Sequence, residues 1–285
     1  MADTTVTAQQ VLLRVADEIG EVQSAFVDNV SSTEVRAAGI SRGQGVNYQY
    51  ALASIEGKGI RTVSTYYEAD ETLVVSSAFS PVVAAGDVIS IYLWDANKRA
   101  KVQRAINQAI WASFPFWYRE VLLDLNNSLL ADGVTTWTLQ ELEAGTYQYG
   151  LPTDLITLSR IGLQTGAANA PIWYAPLANW RVSGQEGAFE LNFRYQPVDF
   201  VAEHAGKSLC LHYAAREPQF STFTSSDTTK LPLDYFSVAA AIYRRWEMSQ
   251  DTALAAQWTQ AEAMNALGRL GATKKHLLIG PKYDF

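Results

Sequence analysis

The chain has 285 residues, of which 48% are hydrophobic, 12% aromatic and 18% charged, and its formal net charge at pH 7 is −7. It is long enough to bury one sizeable core or two smaller ones. The acidic balance argues against tight, salt-sensitive nucleic-acid binding over a broad face. Few charges with many aromatics are typical either of thick β cores or of a surface covered by neighbouring subunits.

No apolar run approaches the ~20 residues of a membrane-spanning helix. The N-terminal sequence has no basic residue ahead of an apolar stretch, so we do not expect a signal peptide. One cysteine, Cys210, excludes an internal disulfide framework and favours a reducing compartment. Its apolar neighbours predict a core strand position for it and not a nucleophile.

Four segments have the apolar periodicity of amphipathic helices: Thr7–Glu18, Asn97–Ser113, Pro232–Ser249 and Thr252–Leu270. Each is too short to bury its apolar stripe alone, so we expect the four to pack together. The predicted fold class is therefore α+β, with a helical bundle core of about four helices and two antiparallel β-rich insertions.

Residues between the helices are typical of strands and turns. Predicted strands are Ile60–Tyr66, Thr72–Ser76, Val88–Trp94, Leu155–Leu163, Phe189–Tyr195 and Lys207–Tyr213. The first three predict a small β-sandwich or barrel. The resulting division is 1–18, 95–119 and 232–270 for the helical bundle core, 19–94 for the first insertion, 120–216 for the second, 217–231 for an extended connector and 271–285 for a C-terminal docking tail.

A basic cluster lies in the first two turns of the second helix: Lys98, Arg99, Lys101 and Arg104. Cations there oppose the helix dipole and cost ~0.3–1 kcal/mol each when exposed. We therefore expect acidic partners for them, on a neighbouring subunit or on DNA. The alternative is a solvent-exposed polar helix face that contacts no other molecule.

The sequence contains little that indicates catalysis. His204, His212 and His276 have no ligand partner at helical or zinc-loop spacing. There is no GxSxG elbow, no Walker loop and no HExxH motif. A distant pair of catalytic carboxylates would leave no signature in the sequence. We predict a protein that is not an enzyme and needs no metal or cofactor.

Several segments together resemble the head–tail connector adaptor proteins of tailed bacteriophages. Phe79–Tyr92 leads into the helix at Lys101–Ile110, and Leu151–Leu155 and Leu231–Tyr235 follow later. The resemblance implies a structural virion protein in the neck between capsid and tail, assembled in the host bacterial cytoplasm. It implies a homo-oligomeric ring, usually twelvefold, beneath the portal protein and above a tail or nozzle protein. The ring would line the DNA channel and touch the genome transiently and non-specifically.

In that family the C-terminal segment commonly reaches into clefts of the portal. The matching docking residues here are Lys274, Lys275, His276, Leu277, Leu278, Ile279, Lys282, Tyr283 and Phe285. An apolar triplet and two aromatic anchors among lysines are typical of a disordered tail that folds on a partner. The alternative is a frayed chain end without a partner.

Two other functions stay open at this point. Trp137, Trp173, Tyr174 and Trp180 could stack on sugars in a carbohydrate-binding virion or tail protein. Scattered carboxylates could serve a hydrolase. Burial in a core is the more common use of such aromatic residues.

Overall fold

A computed structural model describes residues 5–31, 33–40, 48–93, 95–167, 170–174, 180–193, 203–224, 226–248, 252–269 and 275–279. The chain divides into two compact units. The first unit consists of residues 1–109 and 220–266, and the second of residues 110–219 and 267–285. The division predicted from the sequence, with its bundle, insertions, connector and tail, stays a prediction.

The described residues contain four α-helices close to the predicted positions: α1 Ala8–Glu18, α2 Ala96–Ala112, α3 Ser237–Met248 and α4 Thr252–Arg269. Short 3-10 helices cover Glu68–Asp70 and Leu233–Phe236. Thr7 caps α1 in a capping box, in which Thr7 Oγ1 accepts from the Gln10 amide at 3.3 Å and Gln10 Oε1 accepts from the Thr7 amide at 2.9 Å. Asp95 Oδ1 accepts from the Asn97 amide at 2.7 Å, which makes Asp95 the cap of α2.

Six strands of the first unit close into a barrel in which every neighbouring pair is antiparallel. They are β2 Val22–Val30, β3 Glu34–Ala38, β4 Leu52–Ile55, β5 Gly59–Tyr67, β6 Thr72–Val75 and β7 Val88–Tyr92, in the order β2-β3-β6-β5-β4-β7. The prediction of a sandwich or barrel in this block is thus resolved as a barrel. A separate short pair joins β1 Val6–Thr7 to β15 Thr228–Thr229.

The barrel interior follows from the alternation of side chains along its strands. In β7, Ile89 and Ile91 are fully buried, whereas Val88 is 46% exposed. Tyr48 closes part of the same core, where its ring packs edge-on against Tyr66 with ring centroids 4.9 Å apart. The inward residues thus form a core that contains no helix.

The second unit contains two sheets. One has the order β11 Ala170–Tyr174, β10 Leu155–Ala167, β14 Ser208–Ala215, β8 Trp117–Leu123 and β16 Lys275–Ile279. The other has the order β12 Arg181–Gln185, β13 Ala188–Asn192 and β9 Gln148–Gly150. All pairs are antiparallel except β8 with β16. Residues of both sheets share one core, in which Phe193 packs edge-on against Tyr149 with centroids 5.8 Å apart.

The predicted helical bundle core is wrong. The structure is mostly β: a closed barrel and several sheets, in which one hydrophobic cluster fills the barrel and another is shared by the two sheets of the second unit. α1 buries Val11, Leu12 and Val15 and packs against α3 and the 3-10 helix that precedes α3. The β regions bury their own apolar faces, so they constitute the bulk of the fold and are not insertions into a bundle.

Candidate assembly surfaces

Two lysines of the basic cluster on α2 have acidic partners within their own unit. Lys98 Nζ lies 2.5 Å from Glu21 Oε1, and Lys101 Nζ lies 2.6 Å from Glu247 Oε1. The hydrogen bonds to Glu21 and Glu247 raise the pKa of Lys98 and Lys101, respectively. The sequence predicted acidic partners on a neighbouring subunit or on DNA, whereas the two carboxylates observed here belong to distant parts of the same chain.

The two arginines of the cluster differ in exposure. Arg99 donates from Nε and Nη2 to the Leu93 carbonyl at 3.3 and 3.1 Å, and burial lowers its pKa. Arg104 is exposed and makes no ion pair or hydrogen bond with the part of the chain that the structure describes. The four cations therefore do not form one free patch, and their role at a subunit interface or facing DNA stays a prediction.

Five of the predicted docking residues form strand β16. Their backbone pairs in parallel with β8, with Lys275 opposite Trp117 and Ile279 opposite Val121. The sequence predicted a disordered tail, whereas Lys275–Ile279 is a strand at the edge of its own sheet. Docking by Lys275, His276, Leu277, Leu278 and Ile279 stays a prediction, and Lys274, Lys282, Tyr283 and Phe285 lie outside the described residues.

The second unit contains a cleft of about 260 Å³, and Glu217 in its wall forms a buried ion pair with Arg119 of β8. Arg119 Nε and Nη2 donate to the two carboxylate oxygens of Glu217, both at 2.7 Å, and Nη1 donates to the Ala131 carbonyl. The Glu217 side chain is fully buried and that of Arg119 is 8% exposed. This pair ties β8 to the segment that follows β14.

A second carboxylate of the cleft is held by neutral donors. Asp154 accepts from the Tyr213 hydroxyl and from the Ala131 amide, both at 2.8 Å, and burial raises its pKa. The other acidic side chains of the cleft are also paired, Asp132 with Thr135 and Glu186 with Arg216. The carboxylates that line the cleft thus all have hydrogen-bond partners within the second unit. These contacts stabilise the fold around the cleft.

The remaining sequence candidates do not converge on a site. Trp137 and Trp180 are partly buried and pack against the core of the second unit, and the side chains of Trp173 and Tyr174 lie outside the described residues. His204 contacts Lys207, with Nδ1 2.7 Å from Nζ. No group of three or more potential metal ligands occurs in the described part of the chain. None of its helices is long and apolar enough to cross a membrane.

The pKa of His212 on β14 tests how this side chain is packed beside Glu120 of β8. Burial lowers its pKa, Glu120 raises it with Oε2 at 3.7 Å from Nε2, and Arg160 lowers it. We expect Glu120→Gln to lower the pKa of His212 further and Arg160→Gln to raise it. NMR titration of the imidazole C–H signals measures both, and the chain has only three histidines to assign.

The lowered pKa of His212 also determines how this residue makes the stability of the fold depend on pH. Because the folded pKa lies below the unfolded value of 6.5, the unfolded chain binds the proton more readily. This histidine's contribution is therefore fully present above pH 6.5 and is lost as the pH falls through the folded pKa. A pKa at or above 6.5 in the native protein would contradict the described burial.

The comparisons with known proteins agree with an assembly role. A family model described as SU10 adaptor protein matches residues 87–278. The match covers more than half of the chain, so the chain belongs to the SU10 adaptor protein family. It is thus a phage adaptor-type protein, and membership of this family implies a virion-associated structural protein. No curated protein and no solved structure matches the chain.

Proposed function

We propose that this chain is the head-to-tail connector of its phage, forming a ring beneath the portal and lining the DNA channel. The observation that carries the proposal is the family match over residues 87–278. That range includes β7, α2, the sheets of the second unit and most of β16. Five of the six barrel strands precede it, so the barrel is largely additional to the matched region.

The proposed partners are other copies in a twelvefold ring, the portal protein above and a tail or nozzle protein below. The proposed contact with the genome is transient and non-specific. Phosphate binding strengthens with the number of free cations on a protein surface. The net charge of −7 and the pairing of Lys98 and Lys101 with carboxylates reduce the number of such cations, which supports a channel through which DNA slides.

The decisive test is negative-stain electron microscopy of the purified protein, alone and mixed with the portal protein of the same phage. We expect closed rings that attach to one end of the portal. A protein that stays monomeric and unattached in the presence of portal, at concentrations where both are folded, would overturn the proposal.

The predicted docking tail is tested by the double variant Tyr283→Ala/Phe285→Ala. It removes the two aromatic anchors and leaves the β16 residues unchanged, so we expect a native circular dichroism spectrum and at least a tenfold loss of portal affinity in sedimentation or biolayer interferometry. The matched control is Lys282→Ala, which keeps both anchors and should bind much as the wild type does. Unchanged portal affinity of the double variant would contradict docking through these aromatic residues.

A further inference from the structure

The outer edge of β8 is paired with a C-terminal segment of the same chain, β16. β8 lies between β14 and β16, so among the described strands it is β16 that covers that edge. Without β16, the backbone N–H and C=O groups along Trp117–Leu123 would form an open sheet edge, which readily pairs with another extended segment.

The β8 edge does not depend on β16 for its position. On its other side β8 pairs with β14 from Leu123 opposite Leu211 to Arg119 opposite Ala215. Arg119 is also bound to the buried carboxylate of Glu217, and Val121 and Leu123 are fully buried in the core. The edge would therefore stay formed when the five residues of β16 leave it.

The pairing between β16 and β8 is the weaker of the two contacts along β8, because β14, the Arg119–Glu217 pair and the core hold the other side of the strand. It comprises five backbone positions in a parallel ladder, which is slightly less stable per residue than an antiparallel one. A short terminal edge strand of this kind opens more easily than the strands inside the sheet. The segment is thus held in a way that allows release.

The same residues are assigned to another partner by the proposed function. Leu277, Leu278 and Ile279 belong to the predicted portal-docking tail, and they cannot pair with β8 and lie extended in a portal cleft at the same time. Resting on that proposed function, we propose that the β8 edge stores the tail in the free subunit and that portal attachment requires β16 to leave it. The stored strand competes with the portal and lowers the affinity of the free subunit.

A disulfide between register partners tests the competition. Tyr118 lies opposite His276, and paired strands bring Cα atoms to about 5 Å, within the range that a disulfide spans. The variant Tyr118→Cys/His276→Cys is oxidised, and its portal affinity is compared before and after reduction with dithiothreitol. The native Cys210 is buried on β14 next to Leu211, which lies opposite the last residue of β8, five residues along that strand from Tyr118. The single variants Tyr118→Cys and His276→Cys are the matched controls.

We expect the oxidised double variant to lose at least tenfold in portal affinity and reduction to restore it, while both single variants bind equally in either state. Equal binding of the locked and reduced forms would overturn the storage proposal. Failure of the cysteines to cross-link, or cross-links that join separate copies, would also overturn it. If the wild-type protein does not bind portal at all, the proposed function fails, and the intramolecular cross-link still reports whether β16 occupies the β8 edge.

Hydrogen exchange provides a second readout without substitutions. In the free protein, the β8 amides that face β16 should exchange slowly, and portal binding should accelerate their exchange. Amides of β10 paired with β14 serve as the internal reference, since their partners do not change. Undiminished protection along β8 in the portal complex would contradict release of β16.

Discussion

Replacing Arg119 by alanine is expected to lower the free energy of unfolding by about 3–5 kcal/mol. The substitution removes the guanidinium that pairs with the carboxylate of Glu217, whose side chain is fully buried. It also removes the donor to the Ala131 carbonyl. Removing one partner of a buried pair costs far more than the pair contributes in net terms, because the remaining charge keeps its full desolvation penalty. Equilibrium urea unfolding followed by circular dichroism measures the loss.

Two further variants separate a buried charge from lost packing. Arg119→Met/Glu217→Leu removes both charges and keeps most of the volume, so it should regain most of the stability that Arg119→Ala loses. Lys101→Ala breaks an ion pair whose side chains are 52% and 42% exposed, and it should cost no more than about 1 kcal/mol. A loss of similar size in Lys101→Ala and Arg119→Ala would contradict the described burial of the Arg119–Glu217 pair.

Local patterns in the sequence predicted the positions of the helices well, but they did not predict how the elements pack together. All four helices lie within one or two residues of the predicted positions, apart from the first turn of the third, which is a 3-10 helix. Periodicity shows that a helix has an apolar face, but it does not show whether that face meets a helix or another element. The bundle prediction failed because the β regions have hydrophobic cores of their own, which are built largely from strand residues.

Strands with strict alternation were recognised and less regular ones were missed. β7 was predicted, and β10 begins at the predicted Leu155 but continues to Ala167. β2 was not assigned, although it supplies the barrel with Ala25 and Val27. Its apolar residues alternate with polar ones over only part of its length, and a shift in register with β3 between Val27 and Asn29 interrupts the pattern.

The candidate surfaces depended on pairings between distant residues, which one sequence does not reveal. Glu21 and Glu247 lie 77 and 146 residues from the lysines that they pair with. Glu217 lies 98 residues from Arg119, and no local signal marked it as the partner of a buried arginine. The apolar triplet of the tail favoured docking of this segment on a partner, and that stays a prediction. The pairing of the segment with the edge of β8 followed only from the sheet order.

The barrel core provides a test of the corrected fold. Ile89→Ala is expected to lower the free energy of unfolding by about 2–5 kcal/mol, because Ile89 is fully buried between Ala25 and Ile55 on the neighbouring strands and its truncation leaves a cavity. The adjacent Val88→Ala is the matched control, since Val88 is 46% exposed and should cost less than about 1 kcal/mol. Urea unfolding measures both losses, and hydrogen exchange along β7 assigns the transition to the barrel. A helix-based core with β7 at its periphery would give similar small losses for the two variants, so equal effects would contradict the barrel.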